Sequence, residues 1–109
     1  MIVIADSSAL VAVSTYRGLD LLETLFGTVL VPTAVYKATA ANLMLVDDLR
    51  AKKSAYTNGL ETMGSLGLLL LAKEEGLIAD ITSRVRLLQN SNAYLNPMLI
   101  EQVLQRAGE

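Results

Sequence analysis

Three aspartates carry most of the chemistry open to this chain. Asp6 follows an apolar run at 2–5, and the pair Asp47-Asp48 follows a second apolar run, NLMLV, at 42–46. The sequence has no cysteine and no histidine. Disulfides, thiol nucleophiles, imidazole bases and zinc sites built on those ligands are therefore excluded. What remains is carboxylate, hydroxyl, lysine and arginine chemistry, and hard oxygen donors suit a cation such as Mg²⁺.

Such a site needs elements that bring distant acids together. Ile2, Val3 and Ile4 are β-branched within an unbroken apolar run, the pattern of a strand buried on both faces. TVLVP at 28–32 and NLMLV at 42–46 read the same way, and LETM at 60–63 is a weaker strand. Between them lie helix patterns: 9–14 after the capping serines Ser7 and Ser8, and LDLLETLF at 19–26 with Leu19, Leu22, Leu25 and Phe26 on one face. Pro32 suits the first position of a helix over TAVYKATA. LRAKKSAYTNG at 49–59, SLGLLLLAKEEG at 65–76, ITSRVRLLQN at 81–90 and NPMLIEQVLQRA at 96–107 complete the set, the last with Asn96 as cap and Pro97 at the first position.

Alternating strands and helices predict an α/β fold with a mostly parallel sheet. Ligands of such sheets sit beyond the carboxyl ends of the strands. If the first and third strands are neighbours, Asp6, Asp47 and Asp48 reach one edge, where protons, arginine or a divalent cation must neutralise them.

At 109 residues and 52% hydrophobic, the chain is sized for one domain with a real core. A net charge of −2 argues against a surface that coats nucleic acid, while leaving room for a local basic strip. Asp6 interrupts the apolar start, so no signal peptide is expected, and the greasy run at 66–72 is too short to span a bilayer. A cytoplasmic protein is the expectation.

The ordered blocks MIVIADSSAL, GLDLLETLFGTVLVPTAVY, LVDDLRAKKSA, MGSLGLLLLAKEEGLI and LNPMLIEQVLQRAGE resemble PIN domains, most closely the small prokaryotic toxins of toxin–antitoxin pairs. The resemblance covers nearly all of the chain, 1–109, as a single domain. It implies a three-layer sandwich and a ribonuclease in which clustered acids hold Mg²⁺ or Mn²⁺ and a metal-activated water attacks an RNA phosphodiester. Position by position, Asp6 matches the first family acid and Ser8 the hydroxyl beside it. Asp47 matches the acid after the later strand, and Asp48 a frequent neighbour. Asp6, Asp47 and Asp48 would be the metal-binding and catalytic residues and Ser8 a substrate-binding one, with RNA and an antitoxin-like protein as partners.

The chain departs from the pattern between Lys37 and Asn42. The family glutamate after VPxxVY is missing, with Ala38 near its place, and so is a helix bearing a further acid. Two function classes therefore stand side by side: a Mg²⁺-dependent endoribonuclease, and a catalytically inactive module that homodimerises or binds an antitoxin-like partner. A shortened fold would expose apolar sheet surface, so a homodimer is expected, with exchanged elements as one way to restore the cover.

Each candidate also has a plainer role. Asp6 would cap the helix that follows it, and one of Asp47 and Asp48 the helix beginning near Leu49, the other then being merely solvated. Arg50, Lys52 and Lys53 would meet RNA phosphates or form a solvated face, with Arg50 the first choice for substrate. Arg84, Arg86 and Arg106 have weaker claims. Tyr16 and Tyr36 are candidates for base stacking or for half-buried core. MGSLG at 63–67 lacks the lysine and spacing of a nucleotide loop and reads as a structural turn.

Overall fold

The computed structural model describes residues 2–31, 42–91 and 96–109. Its elements run β1 (Val3–Ala5), α1 (Ser7–Thr15), α2 (Leu19–Phe26), β2 (Val29–Leu30), β3 (Leu43–Leu45), α3 (Leu49–Thr57), β4 (Glu61–Met63), α4 (Ser65–Glu74), α5 (Thr82–Gln89) and α6 (Pro97–Arg106). Among the described residues the strands form a parallel sheet in the order β2-β1-β3-β4. The fold is the α/β class expected from the alternating pattern.

Parallel neighbours cannot be joined by a tight turn, so helices cross between them. Helices α1 and α2 carry the chain from β1 to β2, and α3 carries it from β3 to β4. The helix expected from Pro32, with Tyr36, lies outside the described residues. Strand β1 is central, and Val3, Ile4 and Ala5 are all buried, as its unbroken apolar run requires. Register places Val3 opposite both Val29 and Leu43, and Ala5 opposite Leu45.

The core joins Ala5 and Leu45 of the sheet to Val13, Leu22, Leu68, Leu69, Val85 and Val103 from α1, α2, α4, α5 and α6. Helix α3 packs against β4 and buries Ala55. On α2 the stripe differs from the expected one. Leu21 and Leu22 are buried while Leu19, in the first turn, is 50% exposed.

The entry to α2 is tightly made. Gly18 N–H donates to the Val13 carbonyl at 2.8 Å, and a Cβ at Gly18 would stand 2.2 Å from a ring carbon of Tyr16, so only glycine fits. Arg84 on α5 donates to the carbonyls of Arg17 at 2.8 Å and Tyr16 at 3.3 Å, pinning the end of α1. Arg84 is thereby given a structural task.

The end of the chain is pinned as well. The Glu109 carboxylate accepts from the Ile81 N–H at 2.8 Å, the Thr82 N–H at 3.0 Å and the Thr82 hydroxyl, and pairs with Lys73 at 2.8 Å. It thus supplies the start of α5 with acceptors from a remote position in sequence. At α6, Asn96 accepts from Met98 N–H at 2.9 Å with Pro97 in the first turn, the cap read from sequence. Among the described residues no helix is long and apolar enough to cross a membrane.

Candidate active site

The pairing of β1 with β3 decides where the acids go. Asp6 N–H donates to the Leu45 carbonyl at 2.9 Å, continuing the ladder one residue past the strand, and Val46 N–H donates to the Met63 carbonyl at 2.8 Å. Asp6, Asp47 and Asp48 therefore all leave the sheet at the carboxyl ends of adjacent strands, the edge where parallel sheets place ligands.

Beyond that edge each carboxylate has its own partner. Asp6 occupies the N-cap position of α1, and its carbonyl accepts from Leu10 N–H at 3.0 Å, but its side chain makes no capping bond. It accepts instead from the Ser8 hydroxyl at 2.5 Å. Ser8 thus stands beside the first acid and orients it, and neither Ser7 nor Ser8 serves as the cap. Asp48 is a helix cap in the full sense: its Oδ2 accepts from Ala51 N–H at 2.9 Å at the start of α3.

Asp47 bridges two elements. Its Oδ1 accepts from Ser65 N–H at 2.8 Å, the first amide of α4. The Ser65 carbonyl in turn accepts from the Tyr16 hydroxyl at 2.8 Å, so a hydrogen-bonded chain runs from the acidic edge into the core. Tyr16 is fully buried, which removes it as a base-stacking residue. Its hydroxyl is pushed far above the usual tyrosine range, first by burial and then by the negative charge of Asp47, with Arg84 opposing.

Gly64, which caps α4, leaves a cradle between the acid and a cation. A Cβ there would meet Asp47 Oδ1 at 3.0 Å and Lys52 Nζ at 3.4 Å. The MGSLG turn is therefore structural in the way its spacing implied, but its first glycine is shaped by the site. Lys52, one turn into α3, stood on a par with Lys53 in the sequence, behind Arg50. No spacing rule marks it, because its position depends on how β4 and α4 return beside β3.

The donor chemistry fits a hard divalent cation, since every acid at this edge offers oxygen. The count does not close: among the described residues no group of three or more acidic, histidine or cysteine side chains stands together as a metal cage. Asp47 and Asp48 are turned toward the amides of α4 and α3. The stretch between Lys37 and Asn42, where a family glutamate is expected to be missing, lies outside the described residues. Arg50 lies exposed on the first turn of α3, beside this edge.

A small α/β domain with a parallel sheet and acids beyond its central strands is consistent with a PIN-like fold. A family model described as a PIN domain, DUF3368, matches residues 36–109, and the chain belongs to that family. The match takes in β3, the Asp47-Asp48 pair and all of α3 to α6. No curated protein and no solved structure matches the chain.

Proposed function

We propose that this chain acts as a PIN-type ribonuclease at the edge formed by Asp6, Asp47 and Asp48, dependent on Mg²⁺ or Mn²⁺, as the toxin member of a toxin–antitoxin pair. The observation that carries the reading is the in-register pairing of β1 with β3, which sends Asp6 and Asp47 out at the same edge. When bound, the cation would supply a nucleophilic water at neutral pH and offset charge on the phosphodiester.

The chain's own residues divide the remaining work. Ser8 holds one oxygen of Asp6, leaving the other without a hydrogen-bond partner among the described residues. Ser65 fixes Asp47 by one oxygen in the same way. Drawing Asp47 or Asp48 wholly onto a cation breaks a charge-assisted bond to a helix amide, a cost of about 1.5–3 kcal/mol each. Cation binding should consequently be weak, and Arg50 is the residue proposed to hold a phosphate of the substrate.

An inactive interaction module is the second reading, and a different observation favours it. Val11, Leu19, Leu30 and Val31 are exposed apolar residues. A groove of about 460 Å³ lined by Leu10, Leu19, Leu22, Val29 and Val31 opens between α1, α2 and the edge strand β2. Such a surface suits a second copy of this chain or an antitoxin-like peptide. RNA cleavage by purified protein that disappears in Asp6→Asn supports the ribonuclease. Absence of cleavage with Mg²⁺ or Mn²⁺ favours the module, and a monomer mass at micromolar concentration removes its homodimeric form.

A further inference from the structure

Helix α3 combines three features that the acidic edge does not explain. It carries Arg50, Lys52 and Lys53 and no acidic residue between Leu49 and Thr57, in a chain whose net charge is −2. It buries Ala55 alone, leaving Leu49 64% exposed and Tyr56 83% exposed. Its first turn starts at the acidic edge, capped by Asp48.

At 100° per residue the side chains of Tyr56, Leu49, Lys53, Thr57, Arg50 and Ser54 fan in that order around the side opposite Ala55, with Lys52 between Ala55 and Tyr56 at the margin of this arc. Tyr56 stands between Lys52 and Lys53 on this arc. An exposed tyrosine has no stabilising burial to account for it, and its hydroxyl makes no hydrogen bond among the described residues. A flat ring flanked by cations is the combination that holds single-stranded nucleic acid, where bases stack on aromatic faces and phosphates pair with lysine and arginine. Duplex offers no free base face, and the single short helix carries too few cations to follow both backbones.

We propose that single-stranded RNA docks along the outer face of α3, one base stacking on Tyr56 and the flanking phosphates meeting Lys53 and Arg50. Lys52, at the Gly64 cradle beside Asp47, links this track to the acidic edge. The ligand class follows the proposed ribonuclease, but the track needs no metal and no cleavage, so the two fail separately.

The test is fluorescence anisotropy of a short labelled oligouridine titrated with the full chain at low salt in EDTA. Wild type should bind in EDTA, without metal or cleavage. Tyr56→Ala should weaken binding roughly five- to a hundredfold, as loss of one stacked base requires, while Tyr56→Phe keeps the ring and the affinity. The double variant Arg50→Ala/Lys53→Ala should lower the slope of log affinity against log salt by roughly 0.7 for each phosphate no longer neutralised. Far-ultraviolet circular dichroism confirms that the variants, all on an exposed face, are folded. Failure of wild type to bind, or unchanged affinity in folded Tyr56→Ala, overturns the proposal, as does Tyr56→Phe losing as much as Tyr56→Ala. Wild-type binding in EDTA that is lost in folded Tyr56→Ala, whether or not the chain cleaves RNA with Mg²⁺ or Mn²⁺, sets the track apart from the catalytic reading.

Discussion

Asp47 and Asp48 are adjacent in sequence yet do different work, and that contrast makes the aspartates separable by mutation. Asp48→Ala removes the cap of α3 and should cost about 0.5–2 kcal/mol, measured by urea unfolding. Tyr16→Phe deletes the donor to a buried Ser65 carbonyl and should cost about 1–3 kcal/mol in the same assay. Glu109 gives a pH signature. Burial raises its pKa, but Lys73, the Thr82 hydroxyl and the amides of Ile81 and Thr82 outweigh it and hold the carboxyl down at about 2. A lowered folded pKa gives stability that is full above the ordinary carboxylate value and lost as pH falls through the folded one. Wild type should therefore lose stability between the ordinary value and about 2, and Glu109→Gln should be less stable at neutral pH with a flatter acid limb. Unfolding midpoints recorded across that range check it.

At the scale of elements, the sequence displayed the strands and most helices, and for physical reasons. Unbroken apolar runs marked β1 and β3, and Asn96-Pro97 marked the start of α6 through chemistry confined to neighbouring residues. Placement of Asp6 and Asp47 at one edge was legible too, because it needs only that β1 and β3 pair. The partners of those acids were not, since Ser65 reaches Asp47 from 18 positions away and Glu109 reaches Thr82 from 27. Tyr16 was legible as a core candidate, but its full burial was not, since its hydroxyl reaches Ser65 from 49 positions away. Two glycines record such close approaches. Gly64→Ala should push Asp47 or Lys52 aside and lower the proposed RNA cleavage with little change in global stability, whereas Gly18→Ala must displace the Tyr16 ring and should destabilise by more than about 2 kcal/mol. Comparing urea midpoints with RNA cleavage for the two variants separates these effects.

For the whole molecule, membership of the PIN-domain family was legible from the ordered series of blocks, and the match over residues 36–109 accords with it. The same series led to the expectation of a missing family segment, and a composition that is 52% hydrophobic led to that of association. The exposed apolar residues beside β2 are the surface proposed for association, and the cation-bearing face of α3 is the one proposed for RNA. The central claim is that Asp6 and its neighbours still bind a divalent cation. Calorimetric titration of Mn²⁺ into the purified chain, alongside Asp6→Asn, tests it most directly. The account predicts saturable binding, weaker than about 10⁻⁴ M because helix amides compete for Asp47 and Asp48, and its loss in folded Asp6→Asn. No binding by wild type, or equal binding by both proteins, would contradict it.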